Sequence, residues 1–448
     1  MSVVVTKSPS VLVGPATAPA MSPPSTEYII KLTSFDKALA FLPVKSYHVF
    51  THAIHEPAET VRRALSLALV HYFPAAGRLV VVAGDDGGDL RIACTGEGVA
   101  FVAASANRSL DDVKLLDPPF GAALLNELAV GLGADGDGLF RPSDPLLLVQ
   151  VTEFACGGFV VAVTRNHAIA DGTGFAQLMQ AVGELARGAP RPSVLPVSCG
   201  DDDDLPELPP SVFAMEKKLL TLEQKDFAYL DITVPSACIS RIKAGYFDGD
   251  GPCTVFEAVM AVLWQSRTRA VISDPAAPAP LVFAANVRKL VGAKKGYYGN
   301  CITSAVIVPT SGEVANGSIQ DVVKLIKRAK RPIPLQFRKK KKKNNDDDDI
   351  AGDEEDEESP GFGDEVMFGY NVLDVTSWRN LGADAVDFGG GRPARVMCVM
   401  DRLAVPNCVA CLPYCAGKKD DGTNVLARCV REEHVDAFLA EIAKLTAM

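Results

Sequence analysis

The run Phe159-Val160-Val161-Ala162-Val163 puts apolar side chains on both faces of any strand it forms, so that strand must be covered on two sides. A stretch from about Gly174 to Ala186 follows at once, with Phe175, Leu178, Met179, Val182 and Leu185 at helical spacing and Gly188 as its cap. A doubly covered strand feeding an amphipathic helix is a layered α/β unit, and the same alternation recurs along the chain. Helices are expected over Ala58–Tyr72, Val255–Thr268, Ile319–Ala329 and His434–Leu445. Strands are expected over Leu79–Val82, Leu90–Ala93, Leu146–Glu153, Gly158–Thr164, Tyr229–Val234, Leu281–Asn286 and Ile302–Val308. Both element types occur in both halves, which argues for α/β layering over an all-α or all-β domain. A chain of 448 residues also exceeds one comfortable core. Between about Arg187 and Pro210 the periodicity gives way to Pro, Ser and the run Asp201–Asp204. The expected division is therefore a first domain over 1–190, a crossover over 191–214 and a second domain over 215–448.

Charge excludes one class of partner. The net charge of −10 leaves no overall basic footprint for nucleic acid. Part of that charge is local: Arg338–Lys343 carries +6, and the acids of 346–349 and 353–358 carry −10. Blocks like these repel themselves and cannot bury apolar surface, so 338–360 is expected to be a disordered surface insertion. Lys7, Pro9, Pro15 and Pro19 interrupt any leader-like apolar segment, and no apolar run approaches the roughly 18 residues that span a bilayer. A cytosolic protein without membrane partners is the expectation. The cysteines, 11 in all, are mostly scattered among apolar residues. Cys408 and Cys411, with Cys415 close behind, lack a second pair at zinc spacing and read as buried thiols.

His167 is the leading candidate for chemistry. It lies between the doubly apolar strand and the helix, so rigid elements fix both ends of its loop. Asp171 completes a His-x-x-x-Asp pattern, and Gly172 and Gly174 leave room for a ligand beside the backbone. The pattern alone is weak, since six histidines give about a one-in-three chance of an accidental match at typical Asp frequency. His48, His52 and His55 suit a metal site only loosely, and His71 and His434 read as structural or surface. No Gly-x-Ser-x-Gly elbow or phosphate-binding Gly-x-x-x-x-Gly-Lys loop is present. A second block, Asp387-Phe388-Gly389-Gly390-Gly391, is a side-chain-poor loop that Asp387 could cap.

These two blocks, in this order, resemble those of the plant BAHD acyltransferases. Other pieces match along nearly the whole chain: Ser34-Phe35-Asp36, Tyr72–Leu79, Thr95–Val99, Leu263-Trp264, Asn286-Val287-Arg288, Tyr298-Gly299-Asn300-Cys301 and Thr376-Ser377-Trp378. The flavour is similar to the benzoyl/acetyl alcohol and taxane-type enzymes of that family. The resemblance implies two chloramphenicol-acetyltransferase-like α/β domains with mixed sheets, and an active-site channel at their interface with His167 at its centre. The segment near 384–407 would pack with the first domain. Asp171 would form a salt bridge that holds the loop, and Asp387 would pair with Arg288. Asp171, Gly172, Asp387, Gly389, Gly391 and Arg288 are thereby structural members of the motifs. One departure stands out: Gly390 occupies the family's tryptophan position, so the indole N–H is missing, while a backbone N–H of the same loop could still serve as an oxyanion donor.

The implied reaction passes an acyl group from acyl-CoA to a hydroxyl or amine of a small plant metabolite. His167 would act as general base through a tetrahedral intermediate, without an acyl-enzyme. Acyl-CoA is then a co-substrate, and neither a metal nor a prosthetic group is implied; the chain is expected to work as a monomer. Two alternatives stay open: a non-catalytic ligand-binding or scaffold protein of the same fold, and a thioester hydrolase using His167 with water.

Overall fold

The computed structural model describes residues 3–16, 28–82, 89–117, 121–132, 138–201, 205–247, 249, 251–337, 363–400, 402–413 and 422–447. The expected insertion at 338–360, Cys415 and most of the Asp201–Asp204 run lie outside them.

Among the described residues, a seven-stranded sheet runs in the order Val5–Lys7, Val99–Ala106, Leu147–Phe154, Phe159–Asn166, Pro43–Phe50, Arg395–Val399, with Val11–Val13 also on Val99–Ala106. The doubly apolar strand Phe159–Asn166 sits inside it, buried at every position, antiparallel to Leu147–Phe154 on one side and Pro43–Phe50 on the other. Helices Pro57–His71 and Gly172–Ala186 pack on each other and close this core. Each fully buried Phe175, Leu178 or Val182 side chain contributes roughly 1.5–3 kcal/mol.

A six-stranded sheet runs Leu230–Pro235, Gly422–Arg428, Asn407–Leu412, Leu373–Ser377, Leu281–Asn286, Ile302–Ile307, with both parallel and antiparallel pairs. Helix Val255–Val271 is buried from Glu257 to Thr268, too apolar all round to be a surface helix. Thr254 and Glu257 start it with a capping box: each side chain accepts the other's backbone N–H, at 3.2 and 2.8 Å. Cys408 and Cys411 lie buried in the Asn407–Leu412 strand as free thiols. The fold is thus mixed α/β with two sheet-centred bodies.

The bodies exchange segments. Strand Arg395–Val399 pairs antiparallel with Pro43–Phe50, Arg395 opposite Val49 and Val399 opposite Lys45. It is buried throughout, and Arg395 carries its charge into that setting by pairing with Asp117 and Asp231. Trp378, Val386 and Phe388 join the first core, while Phe35, Ala38 and Leu39 join the second. The sequence pattern did not anticipate strand Val99–Ala106 or helices Pro210–Thr221 and Ser236–Ala244. Small and alternating residues such as Ala103, Ala104 and Ser105 lack a distinctive period, so pairing with neighbours decides their conformation.

Candidate active site

Strand Phe159–Asn166 ends in a single 3₁₀ turn, His167–Ile169. The turn follows from Asn166, whose side-chain oxygen accepts from the backbone N–H groups of Ala168 and Phe41, both at 3.0 Å. The backbone N–H of His167 donates to Leu42 O at 2.8 Å, so the residue is anchored before its side chain is considered.

His167 Nδ1 lies 2.9 Å from Asn300 Oδ1. Asn300 Nδ2 donates to His167 O at 2.8 Å and to Asp36 Oδ1 at 2.9 Å. Its two amide hydrogens are therefore committed, and the oxygen that faces the imidazole can only accept. Nδ1 must then carry the proton, leaving the Nε2 lone pair for the cavity. Asp36 also receives the Asn300 backbone N–H at 2.9 Å and is fully buried. Burial raises its carboxyl above the ordinary range, although Thr33 and Asn300 pull it down. Burial, followed by the charge of Arg165, pushes His167 down to about 4. The imidazole is therefore neutral at neutral pH.

Asp171 also lines the cavity, with its carboxylate oxygens engaged by protein groups. Its Oδ1 caps helix Gly172–Ala186 by accepting from Thr173 N and Gly174 N at 3.0 Å. The same carboxylate takes Arg288 in a fork, at 2.6 and 2.9 Å, and accepts Cys301 N at 3.0 Å. Arg288 also donates to Gly299 O at 2.6 Å. Burial would lower this guanidinium, but Asp171 more than offsets it and holds it above its ordinary value. Gly172 and Thr173 line the cavity at the same helix start. Gly174 packs against the carbonyl of Tyr298 so closely that any side chain would collide with backbone. One buried aspartate thus joins the His167 loop to two segments of the second body.

The glycine block departs from expectation in two respects. Asp387 does not pair with Arg288, which is committed to Asp171. It approaches Arg187 at 3.9 Å instead, and Arg187 also donates to its backbone oxygen. The reason is distance: Asp387 packs against Gly183, roughly 18 Å along the helix from Asp171 at 1.5 Å per residue. Within its loop, Asp387 Oδ1 accepts Gly389 N and Gly391 N at 2.7 and 2.9 Å, and both glycines need positive φ, +114° and +104°. Gly390 lies beside Ile54 and His52 and does not line the cavity, so it cannot act as the oxyanion loop.

The cavity that holds His167 contains about 1320 Å³ of empty space, part of it open to solvent, and lies between the two sheets. The first body contributes Val44, Arg165, His167 and Thr173; the second contributes Asn286, Ser304, Asp374, Thr376, Ser377 and Trp378. Glu216, from helix Pro210–Thr221, accepts from Ser304 Oγ at 2.7 Å, and burial followed by Asp374 moves its carboxyl between them up to about 7. Burial likewise raises Asp374 to about 6 against the pull of Asn407, which donates to it at 2.8 Å. Among the described residues no group of three or more His, Cys, Asp or Glu side chains could hold a metal ion, and no helix is long and apolar enough to cross a membrane. Asn300 and Asp36 were visible in sequence only as members of matching blocks, and Glu216 not at all.

Residues 18–445 match the family described as Transferase family. The chain is 44% identical over 459 residues to Acyl transferase 15 of Oryza sativa subsp. japonica, covering 100% of both. It is 32% identical to 2-alpha-hydroxytaxane 2-O-benzoyltransferase of Taxus cuspidata, covering 76% of this chain and 73% of that one. Among solved structures, Vinorine Synthase superposes with a TM-score of 0.67 at 18% identity, covering 99% and 98% of the two chains. F. graminearum TRI101 complexed with Ethyl Coenzyme A gives 0.67 at 15% identity, covering 92% and 97%. Both structures share the fold with this chain.

Proposed function

The chain belongs to the Transferase family, the plant BAHD acyl-CoA-dependent acyltransferases, and from that premise we propose that His167 is the general base of its acyl transfer. The observation that carries this reading is the His167–Asn300 contact, which leaves Nε2 unprotonated toward the cavity. The acceptor is a small plant metabolite with a hydroxyl or amine. Its proton moves to Nε2 as its oxygen or nitrogen attacks the thioester carbonyl. The tetrahedral intermediate collapses, the C–S bond breaks, and the imidazolium returns the proton to the CoA thiolate. No acyl-enzyme is needed, and two bound substrates gain much of their rate from proximity. With Gly390 remote, the hydroxyls that share the cavity with His167 become the oxyanion donors available: Thr173, Thr376 and Ser377.

Asp171, Gly172 and Arg288 hold the loop and the two bodies together, and Asp387, Gly389 and Gly391 shape a remote turn. We read 1–190 and 215–448 as two domains joined by 191–214. The pairing of Arg395–Val399 with Pro43–Phe50 supports counting about 384–407 with the first. The protein would act as a cytosolic monomer with acyl-CoA as co-substrate and no metal. Two features favour the scaffold alternative, Gly390 and the charged insertion at 338–360; Gly390 packs beside Ile54 and His52 and is not among the residues lining the cavity.

The test is release of free CoA thiol by purified protein from an acyl-CoA, with and without alcohols and amines. Release that requires an acceptor supports transfer. Release without one means hydrolysis, and none across a broad panel returns the scaffold reading.

A further inference from the structure

Arg165 stands two residues before His167, near the end of the strand that leads into the His167 turn. Arg165 lines the same cavity, and its guanidinium is almost wholly buried, stacked 4.4 Å from the Phe175 ring centroid. Neither Nε nor Nη1 finds a hydrogen-bond partner. Buried guanidinium groups are ordinarily paired, as Arg288 and Arg395 are here. Directly opposite on strand Pro43–Phe50 is Val44, and Ser46 follows two residues on, on the same face; its hydroxyl too is buried without a partner. His48 comes next on that face. Burial keeps its pKa down at about 4, so it is neutral and Arg165 supplies the charge. Burial lowers the Arg165 pKa only to about 10, which leaves it cationic at neutral pH. Cys398, across from Ser46, completes this end of the cavity as a protonated thiol that burial pushes up to about 12.

The geometry points to a carboxylate-recognition subsite: Arg165 receives an anionic end group carried by one of the two substrates as they meet at His167. This inference rests on the acyltransferase reading. The carboxylate can belong to the acyl group, as in a half-thioester of a dicarboxylic acid, or to the acceptor, as in a hydroxy acid. In either case the transfer balances as before: the acceptor oxygen bonds to the acyl carbon, the C–S bond breaks, and the acceptor's proton reaches the thiolate through His167. The end carboxylate takes no part in bond making. It contributes two charge-assisted hydrogen bonds to a guanidinium already stripped of water.

Two arms distinguish the sources. In one, succinyl-CoA is compared with butyryl-CoA, using neutral alcohols as acceptors. In the other, aliphatic and aromatic hydroxy acids are compared with their methyl esters, using acetyl-CoA as donor. The expected result is that one arm favours the carboxylate in kcat/KM, and that Arg165→Met reduces this preference roughly tenfold to a hundredfold. Neutral pairs turned over with no carboxylate preference in either arm would overturn the subsite while leaving acyl transfer standing. A preference that survives Arg165→Met would also overturn it. No turnover with any pair would sink both readings together. Thermal melting supplies an activity-free check. An unpartnered buried cation replaced by an apolar side chain of similar size should leave Tm unchanged or raise it. A large fall in Tm would mark Arg165 as a structural strut and overturn the assignment.

Discussion

Asn300 Oδ1 lies 2.9 Å from His167 Nδ1, while both amide hydrogens of Asn300 are spent on Asp36 and on the His167 carbonyl oxygen. The amide cannot rotate to present its nitrogen without losing both bonds, so it selects one tautomer of the imidazole. Asn300 is thus a positioning residue, separated from His167 by 133 residues of chain.

Asn300→Ala frees the imidazole to take either tautomer and to swing. The expected result is a fall of about 10²-fold in kcat with little change in KM for acyl-CoA, against about 10²- to 10⁴-fold for His167→Ala. Steady-state kinetics on the two variants check this. An unchanged kcat in Asn300→Ala would remove the positioning role.

The pH profile follows from the depressed His167 pKa. The base works when neutral, so activity falls as pH drops through about 4 and holds between pH 5 and 6.5, where an ordinary histidine would be largely charged. Stability follows the same sign. His48 and His167 both have folded values near 4, below the unfolded value, so their contribution is present above about 6.5 and is lost as pH falls through 4. A pH series of kcat/KM, with melting in the same buffers, reads both; an acid limb near 6.5 would contradict the assignment.

Asp171→Ala removes the helix cap and leaves Arg288 part-buried without its fork. Breaking such a pair from one side costs roughly 3–5 kcal/mol. The variant should lose stability and activity together in urea titration and thiol-release assays. A variant as stable as the parent but inactive would mean that Asp171 acts on the substrate directly.

Gly390→Trp tests the corrected position of the glycine block. The new side chain meets Ile54, where an added Cβ would come within 2.9 Å of Cγ2, so the loop has to shift. Sites this far apart with no shared partner behave independently, so kcat should stay within about twofold while Tm changes. A large rise in kcat would return this loop to the active site.

The legible parts of the fold were those with a local period. Strand Leu281–Asn286 and the start of helix Val255–Val271 fall where the hydrophobic pattern places them, because alternation and helical spacing act within a few residues. The position of His167 was legible for the same reason, since a doubly apolar strand and an amphipathic helix bracket it. Strand Val99–Ala106 and helix Ser236–Ala244 were not, because only neighbours supplied by the rest of the chain stabilise them.

Sequence by itself determined the layering, the family and the loop that bears His167, through periodicity and through motifs read in order. Only the tertiary structure decided which charge meets which. It gave Arg288 to Asp171 rather than to Asp387, set Asn300 against His167, and left Nε and Nη1 of Arg165 without a hydrogen-bond partner. The physical reason is that hydrogen bonds and ion pairs depend on ångström-scale separation, whereas these partners lie 117 and 133 residues apart along the chain. A helix of 15 residues was enough to keep Asp387 from the arginine that the motif order suggested for it.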